Sequence, residues 1–156
     1  FRALEEYRKK TEILSELTST LSTNQDLLIE AVDKLKNVNQ SLKAEVSVAK
    51  RECMEAKLKG IPKDQENVYL FENNLDAQVM RNAVNQLVTE HSGICGIFAG
   101  DDEEGYRYII GSSTEDARTI ATILREKLGA KGGGSAAMVQ GSVVANKESI
   151  LALINL

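Results

Sequence analysis

The chain has 156 residues and a mass of 17.1 kDa, room for one ordinary globular domain, or a small one plus an extended appendage, but not for two large domains. Hydrophobic residues make up 42% and charged residues 27%, which excludes a disordered tail, and no apolar run nears the roughly 20 residues of a membrane span. The net charge of −4, from 19 Lys and Arg against 23 Asp and Glu, excludes a surface that is basic all over, so nucleic-acid contact requires a local patch.

The first predicted element is an amphipathic helix from Phe1 to about Leu21, where Leu4, Tyr7, Thr11, Leu14, Thr18 and Leu21 recur at spacings of three and four. Ser22, Thr23 and Asn24 form a turn, and Thr23 with Asp26 fits a capping box opening the next helix near Gln25. Along this longer helix Leu28, Leu35, Leu42, Ala49 and Ala56 fall seven apart, with Val32, Val46 and Cys53 filling alternate positions of the seam, as in a coiled coil. Gly60 and Pro62 stop it. The pair makes an antiparallel hairpin, residues 1–60, whose second arm is too long for the first to cover. Leu28, Val32, Leu35, Leu42, Val46 and Ala49 are therefore expected to join two copies in a homodimer; the other reading lays the arm on an upstream domain.

Residues 64–156 read as a globular domain. Asn67–Glu72 is a predicted strand, Asp76–His91 a helix capped by Ser92 and Gly93, and Ile94–Ala99 with Arg107–Ile110 a strand pair around the acidic loop Gly100–Gly105. A helix starts at Thr114 and ends at Gly129. A glycine loop follows, then a strand over Met138–Ala145 and a closing helix over Lys147–Leu156. The fold class is thus α+β: a helical hairpin followed by a small mixed sheet with helices against it.

The segment KGGGSAAMVQGS, Lys131 to Ser142, carries the most information. Three consecutive glycines cost backbone entropy, so this loop must need unusual backbone angles or the close approach of another group. Two readings stand: an anion-binding nest of backbone N–H groups assisted by Lys131 and Ser135, or tight packing of a helix end against the sheet. Gly132–Ala137 fits the dinucleotide pattern G-x-G-x-x-A, but it follows a helix where that pattern follows a strand, and Ser135 stands where a P-loop needs Lys. Gln140 is expected to hydrogen-bond the glycine loop and fix its shape.

A helical hairpin, then an α+β domain with LGAKGGG at a helix end and MVQGS beyond it, resembles the C-terminal region of alanyl-tRNA synthetases and of the long alanyl-tRNA editing hydrolases. The globular part is similar to the DHH-associated domain, also found beside DHH phosphoesterase domains, and Gly132, Gly133, Gly134, Met138 and Gln140 carry this best. The opening RALEEYRKK, Arg2 to Lys10, is similar to the segment after the zinc-dependent editing domain. Ser135 departs from the pattern, which has Arg in synthetases and His in DHH phosphoesterases.

The resemblance implies a non-catalytic module that dimerises through its helices and docks its globular domain on tRNA. Hydrolysis of the mischarged ester, and its zinc, would belong to an editing domain outside this sequence. One His and the distant Cys53 and Cys95 give neither a metal site nor a catalytic centre. Alternatives are the substrate-binding domain of a DHH phosphoesterase and a purely structural dimerisation unit. Residues 61–156 hold 8 basic and 13 acidic groups, net −5, so weak tRNA binding is expected, through Arg118, Arg125 and Lys131 beside Gly132, Gly133, Gly134, Ser135 and Gln140. Cys95 is expected to be a core thiol, Cys53 an interface filler, His91 a helix-end residue and Asp101–Glu104 a solvated tip. Phe1 in place of Met, with no secretory signal after it, leads us to expect a piece of a larger cytoplasmic chain.

Overall fold

A computed structural model describes residues 1–155; Leu156, the last position of the predicted closing helix, lies outside them. The chain divides into two compact units, residues 1–49 and 50–156, whereas the sequence pattern sets the hairpin at 1–60. Met54 and Leu58 account for the difference: both are buried with the second unit's core although they belong to the long helix.

In the first unit, helix α1 (Arg2–Thr20) ends in a Schellman motif with Ser22, not glycine, at the left-handed position (φ 49°). There the Thr23 N–H donates to Thr18 O at 3.0 Å and the Ser22 N–H to Ser19 O at 3.2 Å. Thr23 is thereby spent on closing α1, and Asn24 replaces it as the next N-cap, its side chain accepting from the Leu27 N–H at 3.0 Å. One 3-10 turn, Gln25–Leu27, leads into helix α2 (Leu28–Lys59). No residue from 1 to 49 is buried: Leu35 is 56% exposed, Leu42 53% and Val46 52%.

The second unit is a five-stranded mixed sheet of order β1-β2-β3-β5-β4. Strand β1 (Val68–Glu72) runs parallel to β2 (Cys95–Asp101), the other neighbours being antiparallel: β3 (Gly105–Gly111), β5 (Met138–Val143) and β4 (Lys131–Gly134). Helix α3 (Ala77–Glu90), capped by Asp76, packs Met80, Ala83, Val84 and Leu87 onto one face with Cys95, Ile97, Ala99 and Ile109. Helices α4 (Arg118–Leu128) and α5 (Lys147–Ile154) cover the other, where Phe98, Tyr108, Ile110, Val139 and Val143 point. That alternation is the period of two of a strand, with β2 and β3 buried on both sides and β5 on the α4 side only.

Three expectations change. α4 begins at Arg118, because residues 112–117 are tied down first: the Ser112 hydroxyl donates to Gly93 O at 3.0 Å and the Ala117 N–H to Ala136 O at 2.8 Å. The predicted glycine loop is strand β4, an exposed edge. α3 ends at His91 in extended backbone, earlier than the predicted Ser92–Gly93 cap.

Candidate nucleic-acid interface

Gly129 sits left-handed at φ 67° and ends α4, which turns the chain directly into β4. The register pairs Lys131 with Ser142, Gly132 with Gly141, Gly133 with Gln140 and Gly134 with Val139. The three glycines are not equivalent. A Cβ on Gly132 would lie 2.3 Å from Gln140 O, and one on Gly134 would lie 2.3 Å from Met138 O, so both are glycine because β5 passes too close. Gly133 has neither a strained backbone angle nor any atom within 4 Å of a Cβ. The fold itself does not require glycine there.

The β4–β5 turn is closed by Ser135, whose N–H donates to Met138 O at 2.9 Å and whose hydroxyl accepts from the Met138 N–H at 3.4 Å. Its role is therefore that of a turn residue. Arg125 reaches from α4 to the strand and donates through Nη2 to Gly132 O at 3.0 Å. Arg118, two turns earlier on α4, is instead held by Asp116 at 2.7 Å. That guanidinium keeps the Asp116 carboxyl below the usual carboxylate range, and the pair cancels its own charge. Of the expected strip, the structure brings Arg125 onto Gly132 from the α4 side, puts Lys131 on the opposite side of β4, and leaves Arg118 in an ion pair.

Gln140 pairs its backbone with Gly133, but its side chain accepts from Arg81 Nη2 at 2.7 Å rather than bonding the glycine strand. Sequence reasoning missed Arg81 and Arg107, whose proximity to β4 depends on the strand order. Lys131, Gly132, Gly133, Gly134, Ser135 and Gln140 are all exposed.

The cysteines, the histidine and the acidic tip take no part in this surface. Cys95 is fully buried, and burial pushes its thiol up to about 11; Cys53 is exposed. His91 is buried, its Nδ1 2.7 Å from Gln65 O, and among the described residues its Nε2 has no partner. The acidic tip is organised: Asp101 accepts from the Glu103 and Glu104 N–H groups, and Asp102 from the Lys147 N–H and the Tyr106 hydroxyl. Among the described residues no three His, Cys, Asp or Glu side chains are grouped as metal ligands, and no helix is long and apolar enough to cross a membrane.

The architecture, a mixed α+β sheet preceded by long helices, recurs in solved structures. No family model matches the sequence, and no curated protein matches it. Exonuclease RecJ bound to manganese is similar over 84% of this chain and 30% of its own, with TM-score 0.52 and 13% identity. RecJ from Thermus thermophilus in complex with Mg2+ is similar over 85% of this chain and 20% of its own, with TM-score 0.50 and 14% identity. The C-Ala domain of Aquifex aeolicus alanyl-tRNA synthetase aligns with 56% of this chain and 86% of its own at TM-score 0.45 and 21% identity. The chain thus shares the fold of a segment of RecJ, and spans under a third of the RecJ chains it matches.

Proposed function

We propose that this chain is a non-catalytic nucleic-acid-binding module of an alanyl-tRNA editing protein, holding tRNA at β4 and joining copies through the α2 seam. The observation that carries the binding half is Gly133: an exposed edge position where a side chain would meet nothing of its own chain, kept bare between Lys131 and Gln140. A bare backbone lets a sugar-phosphate strand approach the peptide, with Lys131 and Arg125 supplying charge. Ester hydrolysis, with any zinc, belongs in this reading to a domain outside the sequence. Of the seam, Leu28 is half-buried while Val32, Leu35, Leu42, Val46 and Ala49 are exposed within their own unit, which supports a homodimer.

A titration of the whole chain with a tRNA transcript, followed by fluorescence anisotropy at several salt concentrations, tests this. Weak binding that falls steeply with salt and is lost in Gly133→Leu is expected. Absence of salt-dependent binding, or an unaffected Gly133→Leu, overturns it. The RecJ-like fold supports a second reading, a substrate-binding domain of a DHH phosphoesterase; single-stranded DNA competing better than tRNA would favour it.

A further inference from the structure

Resting on that reading, we infer that the tRNA backbone lies not on the glycine edge alone but across the α3-side face of β3, β5 and β4, gripped by Arg81, Arg107 and Lys131. Helix α3 buries its apolar side against β2 and Ile109 of β3. On the same side β5 tucks Met138 against the α3 cluster, but the residues that β5 and β4 present beyond it, Gln140, Ser142, Lys131 and Gly133, are all exposed. This half of the sheet face has no helix over it.

The register lines up its side chains. Arg107 pairs with Ser142 and Ser142 with Lys131, so the three form one row across three strands, with the Cα atoms of the two basic residues roughly 10 Å apart at the usual strand spacing. The next row is Ile109, Gln140 and Gly133, and Arg81 enters it from α3 through its bond to Gln140. Between α3 and this row lies an open groove of about 330 Å³ lined by Ala77, Met80, Arg107, Gln140 and Gly141 among others.

Charge selects the occupant. Residues 61–156 are net −5, yet β3, β4, the 135–137 turn and β5 contain no Asp or Glu, and the acidic residues of α3 stand only at its two ends, the cap Asp76 and Glu90. Among the described residues the ion pairs are Lys57–Glu72 and Arg118–Asp116, so none of the three cations on this face is neutralised. Arg81 and Arg107 are oriented by neutral acceptors, Gln140 Oε1 and Leu75 O at 2.7 and 2.8 Å, which leaves each guanidinium its full charge and further donors. Arg, Lys, Ser and Gln are the side chains that contact phosphate and sugar without reading bases. Asp101 and Glu104 line the adjoining concavity together with Arg107 and Ser142 and repel a polyanion there, so Arg107 stands at the border of the face, where the backbone must leave.

The test uses the whole chain and a tRNA transcript, with Arg81→Gln/Lys131→Gln as the probe and Arg118→Gln as the control. Arg107 stays unchanged because its bond to Leu75 is part of the fold. The double variant should melt like the parent, bind tRNA roughly tenfold more weakly, and lower the slope of log affinity against log salt by about 2, one for each lost phosphate contact. Arg118→Gln should change neither. If Gly133→Leu abolishes binding while the double variant keeps the parental affinity and slope, this face is refuted and the glycine edge stands. Loss of equal size in Arg118→Gln also refutes it, since the effect would then be net charge. No binding by the parent refutes both.

Discussion

At the scale of single residues, three glycines that look identical in sequence do different things. Gly132 and Gly134 are excluded from bearing a side chain by backbone atoms of β5 at 2.3 Å, whereas Gly133 is open. Gly132→Ala should therefore destabilise the protein by about 1–3 kcal/mol, as overpacking against a fixed backbone does, while Gly133→Ala stays within about 0.5 kcal/mol; paired urea denaturations check this. Equal losses would mean that Gly133 is structural too. The glycine run was legible as unusual, but which glycine serves the chain and which serves something else depends on the partner strand, which sequence spacing does not contain.

The acidic tip gives the other residue-scale expectation. The Lys147 backbone N–H and then the Tyr106 hydroxyl hold the Asp102 carboxyl below its ordinary range, and burial followed by the Asp102 bond pushes Tyr106 up to about 12. A lowered carboxyl contributes stability that is full above the unfolded value near 4 and fades as pH falls through the lowered one. A raised phenol contributes stability that is full below about 10 and is lost as pH rises toward 12. Thermal melts should accordingly show a flatter acid limb in Asp102→Asn and a flatter alkaline limb in Tyr106→Phe. The alkaline change will be partial, since burial also pushes Tyr69 up to about 12.

At the scale of elements, α2 has two environments along one helix. Leu35 and Leu42 are more than half exposed, while Met54 is 3% and Leu58 2% exposed. Leu35→Asp/Leu42→Asp should abolish self-association, read by sedimentation, without moving the melting temperature of the globular unit. A variant that remains dimeric would place the contact elsewhere. The stop at Gly60 and Pro62 could be read from helix breakers, and so could the helix end at Gly129. Strand β4 could not: glycine is among the residues least suited to a strand, and only pairing with Met138–Val143 makes it one. The start of α4 was displaced for a similar reason, since Ser112 and Ala117 bond to distant backbone groups at Gly93 and Ala136.

For the whole molecule, the boundary at residue 49 has a direct consequence. Residues 50–156 keep Met54 and Leu58 and should unfold cooperatively on their own, whereas residues 1–49, with no buried side chain, should show helicity that rises with concentration. Circular dichroism of the two pieces decides; a concentration-independent helix in the short piece would contradict the exposed seam. The segregation of charge also emerges only at this scale. Arg81, Arg107 and Lys131 are scattered through a net-acidic segment, and composition averages them away. Strand order brings them to one face.

The outer border of the sheet carries one more implication. An unpaired strand ordinarily recruits another chain and grows into fibres. Here that border is four residues long, three of them glycine, with the carbonyl of Gly132 occupied by Arg125. So short and poorly adhesive a rim offers little to a foreign β-segment, which should keep this border, though not the opposite one at β1, from seeding cross-β assembly.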